Sequence, residues 1–293
     1  MQNKKDRLVR GTALDGRVRA FAVRTTELTT ELQRRHDTYP TATAALGRTV
    51  TAAAMMGAML KGREMINIQV KGNGPIGQIV AEANAQGEVR GYVQNPHVHL
   101  PSNSLGKLDV AGAVGTEGFI HVIKDLGLKE PYRGSVPIVS GELGEDFTYY
   151  FAVSEQTNSA VGLGVLVDTD NSVKVAGGFI IQLLPGLSDE EITEIEKNLN
   201  STPSVTALLD QGMEPEEMLR QILPDTEVLD EMAITFKCHC SRERVEQTLV
   251  SLGRHELEQI IEEDGKAEVV CHFCNEAYSF DKNELLEILN QAK

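Results

Sequence analysis

The hydrophobic and polar positions of the first part of the chain predict a mixture of strands and helices. Residues 18–23 (VRAFAV) alternate in the manner of a strand. Residues 66–93 predict three strands joined by turns at KGNG and NAQG, which is a meander. Residues 41–60 are rich in Ala and Met and predict a helix that ends near Gly62. We therefore expect residues 1–185 to form one α+β domain.

After residue 185 the spacing of apolar positions becomes helical. Ser188 followed by Glu191 is a capping-box pattern, and apolar side chains then recur on one helical face. Two more short acidic helices are predicted at 203–211 and 214–223. Isolated helices of this length are marginal in water, so they need another surface to stay folded. Residues 186–231 are therefore predicted to be a helical linker.

The last part of the chain has the pattern of a small, compact α+β domain, which we place at residues 232–293. The sequence predicts a strand over 233–240 (AITFKCHC) and helices near 243–252 and 254–263. A hairpin is predicted in VVCHFCNEAYSF, followed by a helix with Asp281 as its N-cap.

Composition and charge exclude several classes of function. The chain has 293 residues, 41% of them hydrophobic and 24% charged, as in a globular protein with a sizeable core. No apolar run is long enough for a membrane span, and the first residues carry no secretory signal, so the cytoplasm is expected. The net charge is −15, and all of the excess lies after residue 180, where 25 acidic side chains face 9 basic ones. That imbalance argues against nucleic acid as a partner.

All four cysteines of the chain lie in two tight pairs near its C-terminal end. Cys238 and Cys240 form a C-x-C pair, and Cys271 and Cys274 form a C-x-x-C pair thirty residues later. If 233–240 is a strand, the first two sulfurs point to the same face and His239 points away. Four soft sulfur ligands suit one tetrahedral zinc ion. The four cysteines are therefore the predicted metal ligands, with His239 and His272 as bystanders.

The spacing leaves two interpretations of the zinc site open. A domain of about 60 residues has a marginal core, and a structural zinc site contributes an apparent ~10–16 kcal/mol to folding, so the metal can be a purely structural staple. Only thiolates bind zinc, and each cysteine has a neighbour that can capture an oxidised sulfur, so a redox switch is also permitted.

Other candidate features have simpler structural interpretations, and we predict no catalytic residue and no organic cofactor. The glycine-rich loop at 71–77 lacks the GK[ST] ending of a phosphate-binding loop and is better explained as a hairpin turn. Met55, Met56 and Met59 are either core residues or an adaptable binding surface, and segment 179–184 is either a buried strand or a conditionally exposed patch. Ser154 has no histidine near it in the sequence, which favours a surface serine over a nucleophile. His97 and His99 are best explained as part of a polar loop.

The chain resembles the redox-regulated heat-shock chaperone of thirty-three kilodaltons, a bacterial holdase family. The resemblance is carried by the spacing C-x-C, thirty residues, C-x-x-C, and by the segments 77–96, 132–167 and 175–185. It extends over essentially the whole chain, and the four ligand positions follow the family pattern.

This resemblance implies a mechanism. In the reduced state the four cysteines would hold one Zn²⁺ and the protein would be inactive. Oxidants such as hypochlorous acid, or peroxide with heat, would form the disulfides Cys238–Cys240 and Cys271–Cys274 and release the metal. The zinc domain and the linker would then unfold, and the protein would dimerise and hold unfolding client proteins without ATP. The alternatives are a constitutive zinc-stapled binding module without redox switching, and an enzyme that uses the N-terminal domain.

Overall fold

The computed structural model describes residues 5–291 and divides the chain into two compact units, one ending at Lys237 and one beginning at Cys238. Both units mix helices and strands, as the sequence predicts. The division into domains at 1–185, 186–231 and 232–293 stays a prediction. None of the helices in the described residues combines the length and apolar composition needed to cross a membrane.

A five-stranded antiparallel sheet brings the beginning of the first unit together with its end. Its strand order is β10-β1-β2-β9-β8, so a strand from the acidic segment forms one edge. The strands are β1 (Arg7–Ala13), β2 (Val18–Arg24), β8 (Ser159–Val167), β9 (Val173–Leu183) and β10 (Glu227–Ala233). The strand predicted at 18–23 is confirmed as β2.

A second sheet of six strands contains the predicted meander. Its order is β11-β5-β4-β3-β6-β7, and only the pairing of β11 with β5 is parallel. The strands are β3 (Met65–Gly72), β4 (Gln78–Asn84), β5 (Glu88–Val93), β6 (Gly118–Asp125), β7 (Tyr132–Pro137) and β11 (Thr235–Phe236). The glycine-rich loop 71–77 leads from β3 into β4 and pairs antiparallel strands, as a hairpin turn does.

The helix predicted at 41–60 is confirmed as α2 (Pro40–Gly57), and it contacts strands of both sheets. Its small residues allow this close packing: a Cβ on Gly47 would lie 2.7 Å from side-chain atoms of both Thr29 and Val165. Met55 and Met56 are buried in the core, and Met59 packs against it. The other helices up to residue 153 are α1 (Thr26–His36), α3 (Val110–Val114) and α4 (Gly144–Val153).

The acidic segment contains the three predicted helices, α5 (Asp189–Ser201), α6 (Val205–Asp210) and α7 (Pro215–Ile222). The capping box at the start of α5 is confirmed, since Ser188 accepts a hydrogen bond from the Glu191 N–H and Glu191 accepts one from the Ser188 N–H. These helices belong to the first unit and pack on its five-stranded sheet. The segment then continues into β10, a strand that the sequence pattern did not indicate.

The second unit has the predicted order of elements, α8 (Arg242–Leu252), α9 (Arg254–Glu263), β12 (Lys266–Val270), β13 (Ala277–Asp281) and α10 (Lys282–Leu289). Asp281 caps α10 in a full capping box with Glu284. Eight buried apolar side chains form the core of this unit: Val245, Leu249, Leu257, Ile261, Phe280, Leu285, Ile288 and Leu289.

The strand predicted over 233–240 is wrong in its extent. Within this range Ala233 is the last residue of β10 and Thr235–Phe236 is the short strand β11, whose ladder ends where the Lys237 N–H donates to the carbonyl of Val89 at 3.0 Å. Residues 237–240 are irregular, because the chain passes there into the second unit and then into the N-cap of α8 at Ser241. The alternation of a strand therefore does not set the directions of Cys238 and Cys240.

Candidate metal centre

Two short segments of the second unit carry the four sulfur atoms. Cys238 and Cys240 lie in the irregular chain just before α8, and Cys271 and Cys274 lie in the turn between β12 and β13. Within that turn the Cys271 N–H donates to the carbonyl of Glu276 at 2.9 Å. The Asn275 N–H donates to the carbonyl of Cys271 at 2.8 Å, and Asn275 has a left-handed backbone with φ of 59°. This tight turn holds the second pair of sulfurs on the same side.

The four sulfurs lie within 4.8 Å of one another. The distance from Cys238 Sγ to Cys271 Sγ is 3.7 Å, and that from Cys240 Sγ to Cys274 Sγ is 3.3 Å. A tetrahedral zinc ion with Zn–S bonds of about 2.3 Å holds its sulfurs roughly 3.8 Å apart. A disulfide would bring two sulfurs to about 2.0 Å, so no disulfide joins these cysteines. The arrangement can hold one metal ion.

The surroundings of the sulfurs oppose negative charge in the absence of a cation. Cys274 is only 4% exposed, and burial raises the pKa of its thiol. Burial also raises the pKa of the Cys271 thiol. Four thiolates at these distances would repel one another strongly, so the ionised form of the cluster requires a positive charge at its centre. A metal ion of charge +2 meets that requirement.

Two further side chains support the cluster. The Tyr278 hydroxyl donates to Cys240 Sγ at 3.2 Å, and this hydrogen bond raises the pKa of the tyrosine. Arg244 Nη1 donates to the carbonyl of His239 at 2.7 Å and so fixes the chain between the first two cysteines. Sequence reasoning missed both. Tyr278 could have been noticed because it lies two positions before the buried Phe280 in β13, on the same face of that strand.

The predicted bystander histidines do not join the cluster. Within residues 5–291, the metal-competent group consists of the four cysteines and includes neither His239 nor His272. His97, in the histidine loop, contacts Asp37 at 3.2 Å between Nε2 and Oδ2, and the described residues contain no metal-competent group there. Ser154 lies 3.3 Å from the Tyr132 hydroxyl, which agrees with a polar surface role.

A second functional feature lies within the first unit, where the acidic helices cover an apolar face of the five-stranded sheet. We name this surface the sheet face, formed by Ala13, Val18, Ala20, Ala22, Phe179 and Ile181. The helices α5 to α7 bury apolar side chains against it, namely Ile195, Val205, Leu208, Leu209, Met218, Leu219 and Ile222. The segment 179–184 is therefore a buried strand in this structure, under a cover that the same chain supplies.

Ion pairs add to the attachment of the acidic helices. Arg7 contacts Glu214 at 2.9 Å and Glu216 at 2.7 Å, and Arg24 contacts Glu214 at 3.3 Å. At the start of α5, Arg17 binds Glu191 at 2.7 Å. The negative charge of the segment thus finds partners among the basic side chains of β1, β2 and the turn between them, which agrees with a docked rather than free segment.

The sequence matches the family described as "Hsp33 protein" over residues 6–281. The chain belongs to the Hsp33 family. It is 58% identical over 285 residues to the 33 kDa chaperonin of Brevibacillus brevis, covering 97% of this chain and 98% of the relative. It is 57% identical over 287 residues to the 33 kDa chaperonin of Bacillus cereus, covering 97% of this chain and 99% of that protein.

A solved structure agrees with this assignment. The crystal structure of the 33 kDa chaperonin from Thermotoga maritima, a heat shock protein 33 homologue, superposes with a TM-score of 0.92 at 43% identity. It covers 98% of both chains. The Hsp33 relatives are named as chaperonins, so the resemblance seen in the cysteine spacing is confirmed and the chain is a member of a chaperone and heat-shock family.

Proposed function

We propose that this member of the Hsp33 family is a redox-regulated, ATP-independent holdase that keeps unfolding proteins from aggregating in the cytoplasm under oxidative and heat stress. The observation that carries the proposal is the cluster of four sulfurs within 4.8 Å, in a unit whose described residues bury eight apolar side chains in their core. Such a core is marginal by itself. The fold of residues 238–291 then depends on whether the sulfurs can bind metal.

In the reduced state, Cys238, Cys240, Cys271 and Cys274 hold one Zn²⁺. Bound zinc neutralises thiolate charge and links the two cysteine segments, which is worth an apparent ~10–16 kcal/mol in zinc-binding peptides. Tyr278 and Arg244 orient the first segment, and the β12–β13 turn orients the second.

Hypochlorous acid removes the ligands by oxidising them. A thiolate attacks the chlorine of HOCl, which forms a sulfenyl chloride and releases hydroxide. The neighbouring thiolate then displaces chloride, so each disulfide consumes one HOCl and yields chloride and hydroxide. We propose the pairs Cys238–Cys240 and Cys271–Cys274, which the family resemblance implies, so two equivalents of HOCl empty the site.

The loss of ligands unfolds residues 238–291, and activation is completed when the acidic helices leave the sheet face. Apolar side chains of the sheet, with Phe179 and Ile181 among them, then bind apolar segments of clients. The active form is a homodimer in this proposal. The covered apolar surface and the family membership support this sequence of events.

The test measures zinc content and suppression of client aggregation on the same sample, before and after hypochlorite and again after reductant. Zinc release with new holdase activity, both reversed by reductant, supports the proposal. Zinc release with no gain of activity, even after mild heating of the oxidised protein, would make the site a structural staple. Equal activity before and after would favour a constitutive binding module.

Matched variants locate the effect. A chain with Cys271→Ser and Cys274→Ser has lost one pair of ligands and should contain no stoichiometric zinc. His272→Ala changes the residue between the same two cysteines but keeps all four sulfurs, so it should bind one zinc per chain and respond to hypochlorite as the unaltered protein does.

A further inference from the structure

Strand β10 is held to its sheet mainly through its backbone. It pairs antiparallel with β1 from Glu227 to Ala233, yet its side chains are exposed except for a half-buried Met232. Leu229 is 67% exposed and Val228 is 41% exposed. The buried apolar anchors of this part of the chain lie outside the strand, at Leu223 before it and Ile234 after it. The sequence of β10 therefore contributes little packing to its place in the sheet.

The edge of β1 that faces β10 does not depend on β10 for its structure. On its other side β1 pairs with β2 from Leu8 to Ala13, and Leu8 and Val9 are buried in the core of the unit. At Gly11 the neighbouring chain approaches closely, since a Cβ there would lie 2.9 Å from both the Glu227 carbonyl oxygen and Thr226 Cγ2. If β10 leaves, β1 stays in the sheet with a row of unpaired N–H and C=O groups, which is a template for another strand.

Two basic side chains of β1 favour an acidic partner strand at this edge. Arg7 binds Glu231 at 3.2 Å between Nη1 and Oε2, and Arg10 forms an ion pair with Asp230. Both arginines belong to β1 and remain there when β10 departs. An incoming strand with acidic side chains near these positions would replace the lost ion pairs.

We propose that the β1 edge is a strand-addition site for clients, with β10 as its resident occupant in the inactive protein. The partner is an extended segment of an unfolded protein, about five residues long, that pairs antiparallel with β1 and carries acidic residues opposite Arg7 and Arg10. This inference rests on the proposed function, because it requires β10 to leave on activation. Clients would then bind in two ways, through apolar contacts with the sheet face and through backbone hydrogen bonds with β1. Every client has a backbone that can form such hydrogen bonds.

The register of β10 allows a sharp test. The Ile234 N–H donates to the Asp6 carbonyl at 3.1 Å, so the N–H groups of Ile234 and Met232 face β1, while those of Ala233 and Glu231 face away. A fluorescent peptide with the sequence of residues 227–235 is added to the full-length protein after oxidation, when holdase activity has been verified. Two N-methylated peptides serve as a matched pair, one modified at Met232 and Ile234 and the other at Glu231 and Ala233.

The proposal expects the unmodified peptide to bind the active protein and to compete with a thermally unfolding client. Methylation at Glu231 and Ala233 should change affinity by less than about twofold, whereas methylation at Met232 and Ile234 should weaken it at least about tenfold, because two backbone hydrogen bonds are lost. Replacing the acidic pair of the peptide by Asn and Gln should weaken binding roughly threefold to tenfold. Equal affinity of the two methylated peptides, or no peptide binding to a protein that holds clients, would overturn the proposal.

Amide exchange in the active protein identifies directly which strand occupies the β1 edge. The N–H groups of Leu8 and Arg10 should exchange quickly after oxidation and become protected when client is added. Protection that is present without client and grows with protein concentration would assign the edge to β10 of a second copy and overturn the inference. A sample that fails to gain holdase activity at all would instead count against the proposed function.

Discussion

Among single residues, we expect the four cysteines to tolerate substitution least. Cys240→Ser removes one soft ligand and the acceptor of the Tyr278 hydrogen bond. We expect the variant to lose stoichiometric zinc and native amide protection in residues 238–291, because the small core cannot replace the ~10–16 kcal/mol that a structural zinc site contributes. Residues 5–237 should stay folded, since they have their own cores.

Zinc analysis and amide exchange on the reduced protein check this prediction. The control is His272→Ala, which changes a residue between Cys271 and Cys274 that lies outside the metal-competent group. His272→Ala should retain one zinc per chain. A Cys240→Ser protein with full zinc and native protection would contradict the assignment of this ligand.

Asp6 gives the first unit a pH dependence of its own. Its carboxylate accepts hydrogen bonds from the N–H groups of Glu27 and Leu28 at the start of α1, at 3.1 and 2.7 Å. Burial nevertheless raises the pKa of Asp6 from 3.8 to about 7. A carboxyl group with a raised pKa binds its proton more tightly in the folded state, so its stabilising contribution is full below pH 4 and is lost as the pH rises to 7.

Asp6→Asn isolates this effect from the other carboxylates. The free energy of unfolding of the unaltered protein, relative to that of the variant, should fall between pH 4 and pH 7 by up to about 4 kcal/mol and then level off. Denaturant unfolding of the first unit at several pH values provides the measurement. A difference that stays constant, or rises with pH, would show that the hydrogen bonds outweigh burial.

At the scale of elements, the acidic helices depend on the apolar side chains beneath them. Met218 in α7 is completely buried against the sheet face, whereas Arg220 on the same helix is exposed. Met218→Ala should destabilise the docked helices by about 2–5 kcal/mol, the usual range for such a cavity. In the reduced, zinc-bound protein we expect faster amide exchange in α5 to α7 and more binding of an apolar dye.

Arg220→Ala is the control for that experiment and should leave exchange and dye binding unchanged. Zinc content should be normal in both variants, because the substitutions lie in the first unit. If Met218→Ala showed the exchange pattern of the unaltered protein, the packing of α7 would not be what holds the helices on the sheet.

Arg7 links three carboxylates of the same segment, those of Glu214, Glu216 and Glu231. Arg7→Ala leaves these negative charges near one another without their shared cation. Because Arg7 is 25% exposed, we expect a loss of about 1–3 kcal/mol, between the usual effects for exposed and for buried ion pairs. The loss should be read from amide exchange in α7 and β10, and added salt should reduce it.

Arg34→Ala removes a comparable contact at a more exposed position, since Arg34 is 65% exposed and binds Glu31 at 2.8 Å. It should leave stability nearly unchanged, as is usual for an exposed ion pair. Equal effects of the two substitutions would mean that the carboxylates around Arg7 are already screened by solvent.

Many helices and strands were predictable because they depend on residues close together in the sequence. Strands β10 and β11, whose partners are distant in the sequence, were not predicted correctly. Ser188 with Glu191 marked the start of α5, and Asp281 marked the start of α10, because capping depends on residues only three positions apart. Strand β10 was missed because its exposed, acid-rich sequence has no buried face to produce an alternation. The strand at 233–240 was predicted too long, because its partner β5 lies far away in the sequence.

At the scale of the whole molecule, the clustering of the four cysteines was predictable and their surroundings were not. Two close cysteine pairs predict a common site through ligand chemistry alone, and the structure brings all four sulfurs together. The contact of Tyr278 with Cys240 joins positions 38 residues apart, which no local pattern encodes. The order β10-β1-β2-β9-β8 likewise joins the two ends of the first unit, so the docking of the linker could not be derived from spacing.

The division into two units predicts that loss of metal and release of the acidic helices are separable steps. The four candidate ligands all lie in the second unit, whereas α5 to α7 belong to the first and share a core and ion pairs with its sheet. Chelation of zinc from the reduced protein at 25 °C should therefore abolish amide protection in residues 238–291 while protection in α5 to α7 remains. Mild heating of the chelated protein should then release the helices at a lower temperature than unfolding of the six-stranded sheet, because fewer buried side chains hold them.

Exchange measured segment by segment, with holdase activity followed in parallel, distinguishes one step from two. Activity should follow the loss of protection in α5 to α7 rather than the loss of zinc, since the sheet face is uncovered only when those helices leave. In the Met218→Ala protein, α5 to α7 should be released at 25 °C as soon as zinc is chelated, so the two steps should coincide. In the Arg220→Ala protein the two steps should remain separate. If α5 to α7 lost protection together with residues 238–291 on chelation alone, the two units would unfold as one cooperative system, and the metal would control client binding directly.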